Sequence, residues 1–94
     1  MALNFEWDQA KARINVKRHR ITFEEAKTVF EDPFSITIPD TDHSLEEERY
    51  IDIGMSVNGR VLIVAYTERK TNIRIISCRK ATRWERMIYE EHTD

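Results

Sequence analysis

The stretch IDIGMSVNGRVLIVAYT, residues 51–67, decides how this chain folds. Its first half has apolar residues at every odd position from 51 to 57, which predicts a strand that is buried on one face. Asn58-Gly59 follows, and both residue types tolerate the positive φ of a type I′ hairpin turn. The second half, 60–67, is apolar on both faces and is therefore expected to lie in the centre of an antiparallel sheet.

The residues after this hairpin predict one more strand and a closing helix. A turn around 70–72 leads into an apolar segment at 73–79, which we interpret as a strand. Thr82 and Glu85 have the spacing of a capping box, so a helix is expected to begin there. Its apolar residues recur at helical spacing and are predicted to be buried; they are Trp84, Met87 and Ile88.

The N-terminal third predicts a short strand and two helices. Residues 3–7 alternate in polarity, and Asp8 is a good N-cap for a helix over 9–19. Thr22 and Glu25 form a second capping box. In that arrangement the Thr22 hydroxyl accepts from the Glu25 N–H, and the Glu25 carboxylate reaches back to the Thr22 N–H.

The second helix is expected to end at Asp32-Pro33, and apolar residues alternate again over 34–38. The predicted order is a short strand, two helices, an antiparallel sheet of about four strands, and one C-terminal helix. Helices followed by a run of strands indicate an α+β fold. The 94 residues suffice for one domain, which we place at 1–94.

The composition is that of an ordinary globular protein, with 40% apolar and 34% charged residues. Neither a signal-peptide pattern nor an apolar run long enough to cross a bilayer is present. The single cysteine, Cys78, excludes an internal disulfide and suits a reducing compartment. We therefore expect a cytoplasmic protein that does not act at a membrane.

The charges are segregated along the chain, although the formal net charge is only −2. Cations without any acid occupy 11–20, a second basic block spans 69–86, and most acids lie between 24 and 52. Either basic block alone is explained as the solvated face of a helix. If the fold brings both blocks to one surface, they would form an anion-binding site.

His19 is a candidate for proton transfer. It ends the first predicted helix, where the helix C-terminus favours imidazolium and the cationic neighbours oppose it, so it could titrate near neutral pH. The alternative is a histidine that only satisfies the last helical carbonyl groups.

The arginines of the second block are candidates for binding phosphate. Arg79 ends a strand just before the free N–H groups of the closing helix, where it could hold a phosphate together with Lys80 or Arg83. Arg69, at the end of the central strand, is expected on the same edge as Arg79. Ion pairs with nearby glutamates are the alternative explanation.

No cofactor or metal site is expected. His43 lies in an acidic loop, but no second pair of ligands accompanies it. Cys78 has no histidine nearby in the sequence and is interpreted as a buried, inert thiol. Gly-rich nucleotide-binding motifs and nucleophile elbows are absent from the sequence.

Four segments together resemble one known family, the BrnT toxins. They are FEWD at 5–8 with Lys11, Asn15 and KRH at 17–19; ITFEEAKTVFEDP at 21–33; Glu48-Arg49 with Ile53-Gly54; and RIISCRKATRWERMIYEE at 74–91. The resemblance implies a RelE-like fold and a ribonuclease that blocks translation as the toxin of a bacterial type II toxin–antitoxin pair. It also implies a ribbon-helix-helix antitoxin as partner, RNA (in particular mRNA) as substrate, and contact with operator DNA only through the antitoxin.

The implied chemistry is metal-free cleavage of RNA, in which the substrate 2′-hydroxyl attacks the adjacent phosphorus. The resemblance identifies positions and not roles; the residues that suit this reaction and are predicted to catalyse it are His19, Lys17, Arg49 and Arg79. The residues assigned to RNA or phosphate binding are Arg69, Arg74, Lys80, Arg83, Tyr66 and Arg20. The alternative is a module without catalytic activity that binds nucleic acid or the antitoxin.

One position departs from the family. Its members commonly have Gly where this chain has Arg20. If this residue closes the first helix in the left-handed conformation, Arg costs about 1–2 kcal/mol that Gly would not. Either the turn differs here or the added cation contributes to RNA binding.

Overall fold

The computed structural model describes residues 3–43 and 47–93 and confirms the predicted order of elements. They are β1 (Asn4–Glu6), α1 (Gln9–His19), α2 (Phe23–Thr28), β2 (Ile36–Pro39), β3 (Arg49–Met55), β4 (Val61–Arg69), β5 (Asn72–Lys80) and α3 (Arg83–Thr93), with 3₁₀ turns at Val29–Glu31 and Thr41–His43. None of the helices in the described ranges is long and apolar enough to cross a membrane.

All five strands belong to one sheet, in the order β1-β5-β4-β3-β2. The four later strands form the predicted antiparallel meander, with β4 at the centre. β1 adds to the outer side of β5 and runs parallel to it. The short N-terminal strand therefore extends the same sheet, and α1 and α2 belong to the long connection that parallel pairing requires.

A bulge in β5 decides which side chains share a face of the sheet. Ser77 lies opposite Ala65 and Ile75 lies opposite Tyr66, so Ile76 is an extra residue. Because side chains alternate along a strand, Arg74 and Arg79 would otherwise point to opposite faces. With the extra residue, Arg74 and Arg79 lie opposite Thr67 and Ile63, which share a face of β4.

The β3–β4 hairpin is confirmed, but the predicted type I′ turn is wrong. The Gly59 N–H donates to the Ser56 carbonyl at 2.9 Å, and the Ser56 N–H donates to the Arg60 carbonyl at 2.8 Å. Gly59 has φ 77°, whereas Asn58 is not among the residues with positive φ. The connection is a three-residue loop in which only the last position is left-handed, so it requires glycine once and not twice.

The main core lies between the sheet and the two N-terminal helices. Ile21, Phe23, Ala26 and Val29 pack there against the side chains of β4 and β5, and Trp7 meets Phe23 edge-on at 5.9 Å. We call this side of the sheet the helix-covered face.

Asn15 attaches α1 to the sheet and is the buried residue of that helix. Its Oδ1 accepts from the Cys78 N–H at 3.0 Å, and its Nδ2 donates to the carbonyls of Cys78 at 2.9 Å and Ile21 at 3.0 Å. β1 pairs with β5 only over Asn72–Arg74, so the outer backbone groups of Cys78 have no neighbouring strand. The Asn15 amide takes the place of that strand.

The second capping box is only half formed. The Thr22 hydroxyl accepts from the Glu25 N–H at 3.0 Å, as predicted. The predicted return bond from the Glu25 carboxylate to the Thr22 N–H is wrong. This carboxylate is buried and accepts instead from the Arg60 guanidinium and the Ser56 hydroxyl. The bond from Arg60 holds the pKa of Glu25 below its ordinary value. Glu25, which the sequence predicts to be a local helix cap, thus connects α2 to the β3–β4 hairpin.

The predicted burial of the α3 stripe is wrong. Trp84, Met87 and Ile88 are 68%, 43% and 37% exposed. The face that meets the sheet contains Glu85 and Tyr89, four residues apart. Tyr89 packs on Ile53, Val61 and Ile63, and its hydroxyl donates to Asp32 at 2.6 Å. The Tyr89 ring fills the small apolar area on this side of the sheet, so Trp84, Met87 and Ile88 remain exposed.

Candidate functional site

A row of polar side chains crosses four strands on the face opposite to α1 and α2. Arg49 lies opposite Thr67, Thr67 opposite Arg74, and Arg74 opposite Glu6. Paired residues on neighbouring strands project from the same face of a sheet. Thr67 is buried between the arginines, with its hydroxyl bonded to the Glu48 carbonyl at 2.6 Å.

Arg69 belongs to the same surface, one side-chain position further along β4. It lies opposite Asn72, and its side chain is 49% exposed, with a contact of 3.5 Å to Glu47. We call Arg49, Arg69 and Arg74 the sheet-face cluster. The helix on this face, α3, buries its side chains against Ile53, Val61 and Ile63, so the cluster lies beyond it.

Glu6 is a carboxylate within this surface. Its Oε2 accepts from Arg74 at 2.7 Å and its Oε1 from the Asn72 amide at 3.1 Å. The bond from Asn72, followed by that from Arg74, holds the pKa of Glu6 below its ordinary value. Glu6 is therefore an anion that a bound phosphate would have to compete with for Arg74.

Arg79 lies on the same face but at a distance from the cluster. Four positions of β4 separate its partner Ile63 from Thr67, which corresponds to about 13 Å. The Arg79 guanidinium donates two hydrogen bonds to the Glu85 carboxylate, of 2.8 and 2.9 Å. Arg79 therefore forms an ion pair with a nearby glutamate, which was the alternative to phosphate binding. The bond from Arg79 lowers the pKa of Glu85 to about 2. Glu85 also caps α3 through the Thr82 N–H, so the helix start beside Arg79 is already occupied.

The expectation that Arg69 and Arg79 share an edge is wrong. Arg69 lies opposite Asn72 and Arg79 opposite Ile63, which separates them by six positions of β4, or about 20 Å. The bulge brings the side chains of Arg74 and Arg79 to one face of the sheet. It does not bring Arg69 close to Arg79, because these two residues lie at opposite ends of the antiparallel pair of β4 and β5.

His19, Lys17 and Arg20 lie at the end of α1, on the helix-covered side of the sheet. All three are exposed. The sheet lies between them and the sheet-face cluster, so the two basic blocks do not meet in one pocket. Arg20 has φ 58° and ψ 34° and closes the helix through its N–H bond to the Val16 carbonyl. Arg20 therefore closes α1 in the left-handed conformation, in which arginine is more strained than glycine.

Tyr66 is in the core rather than at a binding surface. It is 4% exposed, its ring contacts Phe30 edge-on at 4.9 Å, and its hydroxyl donates to Asp52 at 2.9 Å. Burial raises its pKa above the ordinary value. For Tyr66 to stack on an RNA base, its ring would have to leave its contact with Phe30.

Two further residues behave as structural groups. The His43 ring lies 3.0 Å from the Asp40 carboxylate, and no group of three metal-ligating side chains occurs in the described ranges. Cys78 is buried, which raises its pKa to about 12. A thiol with this pKa is protonated at neutral pH and is a poor nucleophile.

The sequence interpretation missed Glu6 and Asn72. The sequence contains a signal for Glu6, because the alternation over residues 3–7 that turns Phe5 inward also turns Glu6 to the other face. Without knowing that β1 pairs with β5 in parallel, however, that face could not be matched to Arg74.

These features define a class of small α+β proteins that combine a mixed sheet, two helices on one face, and a C-terminal helix with arginines on the other. The crystal structure of the Brucella abortus ribonuclease toxin, BrnT, is similar, with a TM-score of 0.68 and 18% identity over 87% of this chain and 100% of that chain. At this identity the likeness shows the fold.

The chain belongs to the BrnT family. The family model described as "Ribonuclease toxin, BrnT, of type II toxin-antitoxin system" matches residues 7–85. A search of curated protein sequences found no match. The family resemblance carried by the sequence motifs is confirmed, and with it the assignment to the ribonuclease toxins of type II toxin–antitoxin systems.

Proposed function

We propose that this toxin cleaves mRNA in the cytoplasm without a metal ion, and that the sheet-face cluster binds the phosphate that reacts. The observation that carries the proposal is the placement of Arg49, Arg69 and Arg74 on three neighbouring strands of one face, beyond the apolar area that α3 covers. Several guanidinium groups on one surface suit an anion whose charge is spread over several oxygens.

The reaction needs a proton acceptor and a proton donor. The 2′-hydroxyl loses its proton to a base of the chain, O2′ attacks the phosphorus, and the P–O5′ bond breaks as O5′ takes up a proton from water. The products are a 2′,3′-cyclic phosphate and a 5′-hydroxyl. On the sheet face the proton acceptor is Glu6, beside Arg74. His19 and Lys17 stay proposed as proton-transfer residues in the competing arrangement, in which the reacting phosphate lies at the end of α1.

The partner is proposed to be a ribbon-helix-helix antitoxin, which would neutralise the toxin and connect it to operator DNA. An antitoxin segment with acidic side chains would compete with RNA for the sheet-face cluster.

The test is cleavage of a labelled single-stranded RNA by the purified chain in EDTA, with analysis of the product ends. We expect cyclic phosphate ends, and we expect Arg74→Ala to slow cleavage at least 100-fold while circular dichroism stays unchanged. Lys70→Ala is the matched control, since Lys70 is an exposed cation in the β4–β5 turn. If His19→Ala abolishes cleavage while Arg74→Ala does not, the reacting phosphate lies at α1.

The non-catalytic alternative keeps one observation in its favour. Glu6, the carboxylate beside Arg74, has a pKa below its ordinary value, which makes it a weak base. If the chain binds RNA through Arg74 but yields no cyclic phosphate ends, the arginines provide affinity only.

A further inference from the structure

The outer surface of α1 is a basic surface that the sheet-face cluster does not include. We call Lys11, Arg13, Lys17, Arg18 and Arg20 the α1 surface. All five side chains are exposed, and no acid occurs from Gln9 to Arg20. The helix buries Asn15 and little else, so over its length of about 16 Å nearly every other side chain faces solvent.

Helix stability accounts for only some of these cations. Cations in the last turn are favourable next to a helix C-terminus, which explains Lys17 and Arg18. The same field opposes Lys11 in the first turn, where the helix has no acidic residue. Within the described ranges none of the five side chains forms an ion pair with a carboxylate, and Arg20 occupies a left-handed position that favours glycine.

The α1 surface approaches the sheet-face cluster around the β1–β5 edge. Arg13 and Val16 line a cavity between α1 and α2. Lys11 and Arg18 lie on the opposite flank of the helix, since helical positions repeat every 3.6 residues. Asp8 lies at the junction. Its carboxylate accepts from the Lys11 N–H at 3.0 Å, and Glu6, which binds Arg74 at 2.7 Å, precedes Asp8 by two residues.

We propose that the α1 surface is a second binding surface for RNA phosphates, reached by a strand that passes from the sheet-face cluster over the β1–β5 edge. This inference rests on the proposed function, because it takes RNA as the substrate. RNA suits this surface better than a protein partner does. A protein interface centres on large apolar or aromatic groups, whereas α1 carries no aromatic residue and exposes only Ile14 and Val16 among its large apolar residues.

The experiment compares two RNA lengths in the full chain. The probes are fluorescein-labelled 2′-O-methyl RNAs of about 4 and about 25 nucleotides, which cannot be cleaved because the 2′-oxygen is blocked. Lys11→Ala/Arg18→Ala removes two exposed cations of the surface, neither of them a proposed catalytic residue. We expect at least tenfold weaker binding of the long RNA and a salt dependence reduced by about 1.4 in log K per log salt. Affinity for the short RNA and cleavage of a short unmodified RNA stay unchanged.

Lys70→Ala/Arg86→Ala is the matched control, with the same loss of charge at other exposed positions. If it weakens long RNA as much, or if Lys11→Ala/Arg18→Ala weakens neither RNA, the inference is overturned. A loss of antitoxin binding alone would assign the α1 surface to protein and also overturn it. Should the wild-type chain fail to cleave RNA while long-RNA binding still depends on Lys11 and Arg18, the proposed function fails and the second surface stands.

Discussion

The Arg74 guanidinium donates to the Glu6 carboxylate at 2.7 Å across the parallel pair of β1 and β5. This contact joins the first strand of the chain to the last, and it places a carboxylate among the arginines of the sheet-face cluster. It also poses the main mechanistic question about this toxin. If the reacting phosphate binds at the sheet-face cluster as proposed, Glu6 would compete with it for Arg74 or accept the proton of the 2′-hydroxyl.

Glu6→Gln separates these roles, because the amide keeps the shape of the side chain without its charge. Loss of a partly exposed ion pair frees Arg74, so we expect RNA to bind about threefold more tightly. If Glu6 is the proton acceptor, kcat falls at least 100-fold at the same time. Binding and single-turnover cleavage measure the two effects separately. Glu31→Gln, an exposed acid away from the cluster, is the control, and unchanged binding and kcat in Glu6→Gln would exclude both roles.

Asn15→Ala should be among the most destabilising single changes in α1. It leaves the N–H and carbonyl of Cys78 and the carbonyl of Ile21 without their partner in a buried region. Each lost bond costs about 1–3 kcal/mol, so we expect a loss of about 3 kcal/mol or more in the free energy of unfolding. Urea unfolding measures it. Gln9→Ala, an exposed amide in the same helix, should change stability by less than about 0.5 kcal/mol.

Arg20→Gly is expected to stabilise the protein. The residue has φ 58°, and relief of left-handed strain of about 1–2 kcal/mol outweighs the greater freedom of glycine in the unfolded chain. We expect a net gain of about 0.5–1 kcal/mol in thermal or urea unfolding. Lys70→Gly is a matched comparison, because Lys70 has φ 56° in the β4–β5 turn. Only Arg20→Gly should also weaken the binding of long RNA; equal loss in both variants would contradict the role given to Arg20.

The Glu85 contacts predict a loss of stability in acid. Arg79 lowers the pKa of Glu85 to about 2 from an ordinary 4.5. The folded state thus binds this proton more weakly than the unfolded state, and the stabilisation is complete above pH 4.5 and lost as pH falls toward 2. The stability difference between wild type and Glu85→Gln should therefore shrink between those pH values. Glu90→Gln, an exposed acid on the same helix, controls for general acid effects, and a difference independent of pH would refute the assignment.

Local patterns along the chain were sufficient to identify the secondary-structure elements and the family. Alternation, helical spacing and the caps at Asp8, Thr22 and Thr82 identified the strands and helices, because these signals are local and act within a few residues. The motifs from FEWD to the Arg74–Glu91 block identified the toxin family for the same reason, because a motif is also a local feature of the sequence.

Which charged side chains lie next to one another depends instead on the pairing of distant parts of the chain. The parallel pairing of β1 with β5 placed Glu6 beside Arg74, and the extra residue Ile76 brought Arg74 and Arg79 to one face. The sheet separated His19 from the sheet-face cluster, and Tyr89 took the apolar area that Trp84 was expected to fill. Register, handedness of connection and competition for a limited buried area depend on residues far apart in the chain, and no local pattern contains them.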